Sequence, residues 1–249
     1  MSNSIIVIPA RLASTRLANK PLADIQGKPM IVRVLEQAQK ADLGPVIVAC
    51  CGPEIAEVVR QAGGIGIETE PHLPSGSDRI VAALRHFDPD RKYEIVINLQ
   101  GDLPTIEPSL IRSSLVPLQD PTVDIATLCC QIRDETEIHN PNVVKIALSK
   151  WQNREGIAVS RGVYFSRLPI PANATTHYHH IGLYTYRRSS LETFVSLPPS
   201  YLETTEKLEQ LRALEAGMRI DVVLVDGMPQ SVDTVEDLEK VSQSLARQA

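Results

Sequence analysis

The chain has 249 residues, 43% of them apolar and 22% charged, and carries a net charge of −5. That size and composition suit one large α/β domain or two small ones with a substantial buried core. The acidic balance argues against a broad nucleic-acid or anionic-membrane surface, and leaves room for a local basic site that holds a small anion. The N-terminus has no basic leader, and no stretch reaches the ~18 uninterrupted apolar residues of a membrane span. A cytoplasmic protein that binds neither nucleic acid nor membrane is expected. Four cysteines fall as two adjacent pairs, Cys50-Cys51 and Cys129-Cys130. This spacing suits neither a zinc half-site nor a secreted disulfide framework, so buried reduced thiols at strand ends are expected.

In chain order, "SIIVIPA" (4–10) predicts a strand, followed by a loop with Arg11, Arg16 and Lys20 and no acid before Asp24. Helical spacing runs over 28–41, with Met30, Ile31, Val34, Leu35 and Ala38 on one face. A strand over 45–51 precedes a helix over 53–63, with Pro near its start and Gly after its end. A short strand follows at 65–68, then a helix over 75–87 capped by Ser75 or Ser77. "YEIVINLQGD" (93–102) is nearly continuous in apolar residues, as a strand buried on both faces should be. This alternation predicts a mostly parallel sheet with right-handed crossovers and flanking helices.

The second half is richer in strands, at 123–132, 143–148, 156–167 and 179–188. A helix over 201–217, a strand over 219–225 and a helix over 234–248 then close the chain. A single α/β domain over 1–249 with a β-rich insertion fits this order. Residues 1–122 form the alternating α/β half, 123–188 the β-rich region, and 189–249 the closing helices and strand.

In open α/β sheets ligands bind beyond the carboxyl ends of the strands. That rule gathers Arg11, Arg16 and Lys20 with Gln100 and Asp102, and with Asp233 after the last strand. Cations and carboxylates converging there suit a metal-bound triphosphate, since Mg²⁺ usually takes one or two protein carboxylates and shares its other positions with phosphate and water. Each signal also has a bland reading. The basic loop suits a solvated turn, "GD" a strand-ending turn, and "DTVED" an Asp N-cap with acids in the first helical turn. No GxGxxG follows the first strand and no GxxxxGK[ST] occurs, which disfavours dinucleotide and P-loop folds.

The motifs "IPARLASTRLANKPL", "GKPMIVRVLEQA", "PSGSDRI", "NLQGDLP", "NPNVVK", "YFSR", "HHIGLYTYRR", "LEQLRALEAG" and "VDTVEDLE" together resemble the 3-deoxy-manno-octulosonate (Kdo) cytidylyltransferase family almost end to end. The resemblance implies a nucleotide-diphospho-sugar transferase fold. It also implies Mg²⁺-dependent transfer of CMP from CTP to Kdo with release of diphosphate, for lipopolysaccharide precursor synthesis, by a homodimer. By motif match, Arg11, Ser14, Arg16 and Lys20 hold the CTP phosphates, with Ser75 and Arg79 on the nucleotide side and Gln100 near both substrates. Asp102 and Asp233 carry the metal, and Arg167, His180, Tyr184, Glu209 and Gln210 form the sugar-acid pocket. Arg16, Lys20, Asp102 and Asp233 are the catalytic set. The resemblance thus makes 1–122 mainly the nucleotide-binding half, gives 123–188 the sugar site and dimer contact, and puts the second metal aspartate in 189–249.

The chain departs from the family pattern at Leu103, where Glu is common, and at "ACCG" (49–52), where Ala-Thr-Asp is usual. It departs again at Ala18-Asn19, in place of Pro-Gly, and its 171–180 segment is shorter. Two other readings keep the fold: the same chemistry on 8-amino-Kdo or another 2-keto sugar acid, and a nucleotide-binding regulator without catalysis.

Overall fold

A computed structural model describes residues 3–12 and 17–247. The chain falls into two compact units, Met1–Ile111 with Pro229–Ala249, and Arg112–Met228. In the first unit the strands are β1 (Ser4–Ala10), a two-residue pair β2 (Asp24–Ile25) and β3 (Lys28–Pro29), then β4 (Val46–Cys50), β5 (Ile65–Glu68) and β6 (Ile95–Asn98). Four of them form a wholly parallel array in the order β5-β4-β1-β6. Apart from Pro9, every residue of β1 and β4 is buried. This is why both read in the sequence as unbroken apolar runs.

The connecting helices follow from their local signals. Helix Met30–Lys40 buries the five residues that helical spacing selects, together with Val32. Helix Pro53–Gln61 starts on a proline, which has no orphan N–H to satisfy at that position. Helix Gly76–Phe87 is capped by Ser75, whose Oγ accepts the Asp78 amide, and Ser77 is buried within the first turn. The strand order reverses between β1 and β6, so the crevice beyond their carboxyl ends is a topological switch point. The predicted strand over 93–102 stops at Asn98, leaving Leu99 to Asp102 to leave the sheet at that crevice.

The second unit holds β7 (Ile125–Gln131), β8 (Lys145–Leu148), β9 (Gln152–Arg154), β10 (Ile157–Ser166), β11 (Tyr178–Arg187) and β12 (Ile220–Val225). Their order is β11-β7-β12-β10-β8, with β9 on β10. β12 pairs with β7 in parallel, whereas β10 with β12, β8 and β9, and β11 with β7 and β8, pair antiparallel. The helical features that depart from the sequence reading include two close to candidate site residues. Residues Arg188–Ser196 form a helix directly after β11. The single helix expected over 201–217 is two helices, Tyr201–Glu206 and Gln210–Glu215. The break falls at Lys207, which takes a left-handed conformation (φ 55°) so that Leu208 can bury its side chain and donate its amide to the Glu203 carbonyl.

Cys50, Cys129 and Cys130 are buried, whereas Cys51 is half-exposed. Burial, with Cys51 adjacent, pushes the Cys50 thiol up to about 12. Burial and the Glu137 carboxylate push Cys130 up to about 11, and burial with Cys130 adjacent raises Cys129 as well. These thiols stay protonated in the fold after their unfolded counterparts ionise near the ordinary value of 9.0. Their contribution to stability is therefore full below about pH 9 and is lost as pH rises toward their folded values. Urea unfolding midpoints should fall over that range, and a small thiol reagent at pH 8 should label Cys51 alone. Equal labelling of all four would contradict the packing.

Candidate active site

The basic loop leaves β1 at Pro9 and Ala10. Its described part holds an exposed Arg11 and then Leu17 to Lys20, while Ser14 and Arg16 lie outside the described residues. Cys51 takes part in aiming the loop: its Sγ accepts the Leu12 amide at 3.2 Å and its own amide donates to the Ala10 carbonyl. Asn19 adopts φ 50° and ψ 35° just before the turn of 3₁₀ helix Lys20–Leu22. Asparagine is among the few residues other than glycine that enter this region readily, so Ala18-Asn19 can still deliver the bend where Pro-Gly is usual.

Lys20 is not a solvated surface cation. Its side chain is 15% exposed and its ammonium donates to Asp102 Oδ2 at 2.9 Å and Asp233 Oδ1 at 2.8 Å. Burial pulls its pKa down, but the Asp102 and Asp233 carboxylates outweigh that and the net direction is upward. The sequence placed Lys20 opposite the two aspartates, on phosphate. In the structure all three meet at one point.

The frame that brings them there is short-range. Gly101 lies against the end of β1, where a Cβ would sit 3.2 Å from the Pro9 carbonyl oxygen, so a side chain there would crowd the backbone. The Asp102 carbonyl accepts the Val232 amide at 3.0 Å, which ties the two aspartate-bearing segments together. Val232 packs in a small core with Ile25, Met30 and Val241, joined by Leu17 from the basic loop. The N-cap of helix Val235–Ala246 is Thr234, in a capping box with Asp237. The capping reading of "DTVED" therefore belongs to Thr234, and the Asp233 carboxylate accepts from Lys20. Leu103 is buried, so its side chain belongs to the core and adds no acid beside Asp102.

Around this centre, Gln100 donates to Asn98 Oδ1 at 2.7 Å, which fixes its amide. Ser75 both accepts the Asp78 amide and donates to Asp78 Oδ2. The helix it opens begins against Pro9, where a Cβ on Gly76 would meet Pro9 Cγ at 3.5 Å. The positive end of a helix therefore lies at the same strand end as Arg11. Arg79 is buried and donates to Thr69 Oγ1 and to the Glu70 and Pro71 carbonyls, holding the 69–71 loop. Desolvation lowers its pKa, and Arg11 pushes the same way.

In the second unit, β11 carries His180 and Tyr184, whose rings lie 5.5 Å apart. His180 is buried, contacts Thr127 Oγ1 at 3.0 Å and meets the Phe165 ring edge-on at 4.9 Å. Burial, with His179 beside it, pulls its pKa down to about 3. The ring is neutral across the ordinary pH range and acts as a hydrogen-bonding group, not a charge. His177 contacts the Ile170 carbonyl and His179 faces Glu137, so the three histidines turn to different partners. Burial and the Glu209 carboxylate push the Tyr184 phenol up.

Glu209 and Gln210 stand at the start of helix Gln210–Glu215, just after the break at Lys207; Gln210 is buried and Glu209 half-buried. Arg167 follows β10 and donates to the carbonyls of Pro141 (2.9 Å), Glu206 (3.1 Å) and Lys207 (3.4 Å). Sequence reasoning passed over Lys145, a cation inside the apolar run "VVKIAL". That misplaced charge is the signal that marks it.

Among the described residues no cluster of three His, Cys, Asp or Glu side chains forms a metal site. The test for a divalent cation therefore rests on the two aspartates. Both already direct a carboxylate oxygen to one cationic group, the Lys20 ammonium, so the pair is arranged around a single positive charge. A pair of hard oxygens sharing ligands with phosphate and water fits Mg²⁺.

The class of the protein, a nucleotidyltransferase, follows from the known proteins it is similar to. The cytidylyltransferase sequence family matches residues 5–220. A 3-deoxy-manno-octulosonate cytidylyltransferase from Paramagnetospirillum magneticum is 55% identical over 236 residues, 95% of each chain. One from Rhodopseudomonas palustris is 56% identical over 245 residues, 98% of each chain. The solved structure of a CMP:2-keto-3-deoxy-manno-octonic acid synthetase complexed with CTP has a TM-score of 0.89 at 38% identity, covering 99% of each chain. A UDP-glucose pyrophosphorylase at 14% identity and TM-score 0.69 shares the nucleotide-diphospho-sugar transferase fold. The chain belongs to the 3-deoxy-manno-octulosonate cytidylyltransferase family.

Proposed function

We propose that this chain transfers the cytidylyl group of CTP to Kdo. The anomeric oxygen of Kdo attacks the α-phosphorus, the bond from that phosphorus to the bridging oxygen breaks, diphosphate leaves, and the hydroxyl proton passes to solvent. The observation that carries the reading is the convergence of Asp102 and Asp233 on one cationic point at the β1/β6 switch point. The CTP-bound relative supports the nucleotide and the named relatives support the sugar.

Asp102 and Asp233 would hold Mg²⁺, which supplies charge neutralisation at the phosphates and an acidified sugar hydroxyl. Lys20 then turns from the aspartates to the phosphates and, with Arg16, offsets charge growing on diphosphate. Arg11, Ser14, Ser75, Arg79 and Gln100 orient the nucleotide. Arg167, His180, Tyr184, Glu209 and Gln210 bind the sugar acid, with His180 neutral. No protein nucleophile takes part, so positioning and electrostatics supply the acceleration.

Among the described residues no helix is long and apolar enough to cross a membrane. We place the enzyme in the cytoplasm, making the activated sugar for lipopolysaccharide. We expect a homodimer, supported by exposed Val163 and Leu168 in the β-rich region. Diphosphate release should be measured with each of four nucleoside triphosphates, with and without Mg²⁺, and with Kdo or 8-amino-Kdo. Release should require CTP, Mg²⁺ and Kdo together. Preference for the amino sugar would move the acceptor, and absence of any sugar-dependent release would leave a nucleotide-binding protein without catalysis.

A further inference from the structure

Lys145 opens β8 and is fully buried. Among the described residues its ammonium bonds no carboxylate. The ammonium donates instead to the backbone carbonyls of Asn140 (2.9 Å), Val143 (2.7 Å) and Arg167 (2.6 Å). Three N–H donors meet three acceptors, which satisfies the group. Burying a charge without a counter-ion is still costly, and an apolar side chain would fill the same core position at less cost. Desolvation lowers its pKa, and the Arg167 guanidinium works in the same direction. Of the other titratable groups packed near it, His179 sits opposite Lys145 in the β11/β8 register.

The three carbonyls show what the charge accomplishes. Two belong to the turn before β8 and the third to Arg167, after β10. Arg167 stitches back the other way, with its guanidinium on Pro141 of the same turn and on Glu206 and Lys207. The Glu206 carboxylate accepts the Arg167 amide at 3.2 Å, and this segment leads directly into Glu209 and Gln210. Next to Lys145 in the chain, the Val144 carbonyl accepts the His180 amide at 2.9 Å. Arg167, the 206–210 segment and His180 are thus all tied to the start of β8.

We propose that Lys145 is a positioning residue for the sugar-acid pocket: without touching substrate, it fixes Arg167 and the 140–143 turn in the places from which the pocket is built. The inference rests on the reading of Arg167 and His180 as sugar-side residues.

The test is steady-state kinetics of Lys145→Met and Lys145→Gln with CTP and Kdo varied separately, alongside thermal melting. In the Met variant KM for Kdo should rise about tenfold or more, since small misplacements of binding groups have effects of that order, while KM for CTP stays within about twofold. The Gln variant, which keeps two donors, should fall between Met and wild type. Arg167→Lys added to Lys145→Met should raise the Kdo KM by less than the product of the two single effects, because both act through one network. A merely structural lysine would lower the folded fraction and leave both KM values alone. Folded variants with an unchanged Kdo KM would overturn the inference, as would failure of both variants to fold, Lys145 then being a folding residue only. Wild-type protein without Kdo-dependent diphosphate release would instead overturn the functional reading itself.

Discussion

Asp102→Asn should lower turnover at least about a hundredfold while the protein remains folded, because charge stabilisation of a phosphoryl-type transition state is worth that much when one group is lost. Asparagine keeps the size and shape of the side chain and removes its negative charge. The scaffold contribution of this residue survives the change, since it is the Asp102 backbone carbonyl that holds the Val232 amide. The stability cost should be small. The Asp102 carboxylate is 30% exposed, and partly exposed ion pairs contribute at most about 1 kcal/mol. The discriminating measurement is kcat at saturating CTP, Kdo and Mg²⁺, with a thermal melt on the same sample. Near-wild-type turnover in a folded variant would remove Asp102 from the metal site.

Lys20→Met should have two opposed effects. Turnover should fall by about a hundredfold, by loss of a cation at the departing diphosphate. Affinity for a divalent cation in the absence of nucleotide should rise, by about tenfold, because the ammonium no longer competes for the oxygens of Asp102 and Asp233. Titration of Mn²⁺ into nucleotide-free protein, followed by the electron-spin resonance of the free ion, reads the second effect without reference to catalysis. Unchanged Mn²⁺ affinity would mean that Lys20 does not occupy the metal's place. A defect confined to sugar affinity would contradict its assignment to phosphate.

Much of the frame was legible because local rules and tertiary demands agree. Doubly buried strands must be apolar throughout, so β1, β4 and β6 stood out, and strand–helix alternation required a parallel sheet. The strand-end rule was enough to gather Lys20, Asp102 and Asp233. What it lacked was side-chain direction. Nothing in "LANKPL" says that Lys20 bends onto both aspartates, because that depends on the Asn19 turn and on Leu17 packing beside Val232.

The helix break at Lys207 escaped for a similar reason. A single left-handed residue leaves the apolar periodicity of 201–217 almost unchanged, so the pattern carries no sign of the break that precedes buried Gln210. Arg79 and Lys145 show the opposite limit. Lys145 is marked by its sequence context as a charge in an apolar run and Arg79 is not, and only the fold reveals that backbone carbonyls draw both inside.

The most direct test of the whole account is the identity of the product. Protein incubated with CTP, Kdo and Mg²⁺ and followed by phosphorus NMR should give one new phosphodiester signal and one diphosphate for each CTP consumed, with none of either when Kdo is omitted. Conversion of CTP to CMP and diphosphate without a sugar phosphodiester, or no consumption of CTP at all, would contradict it.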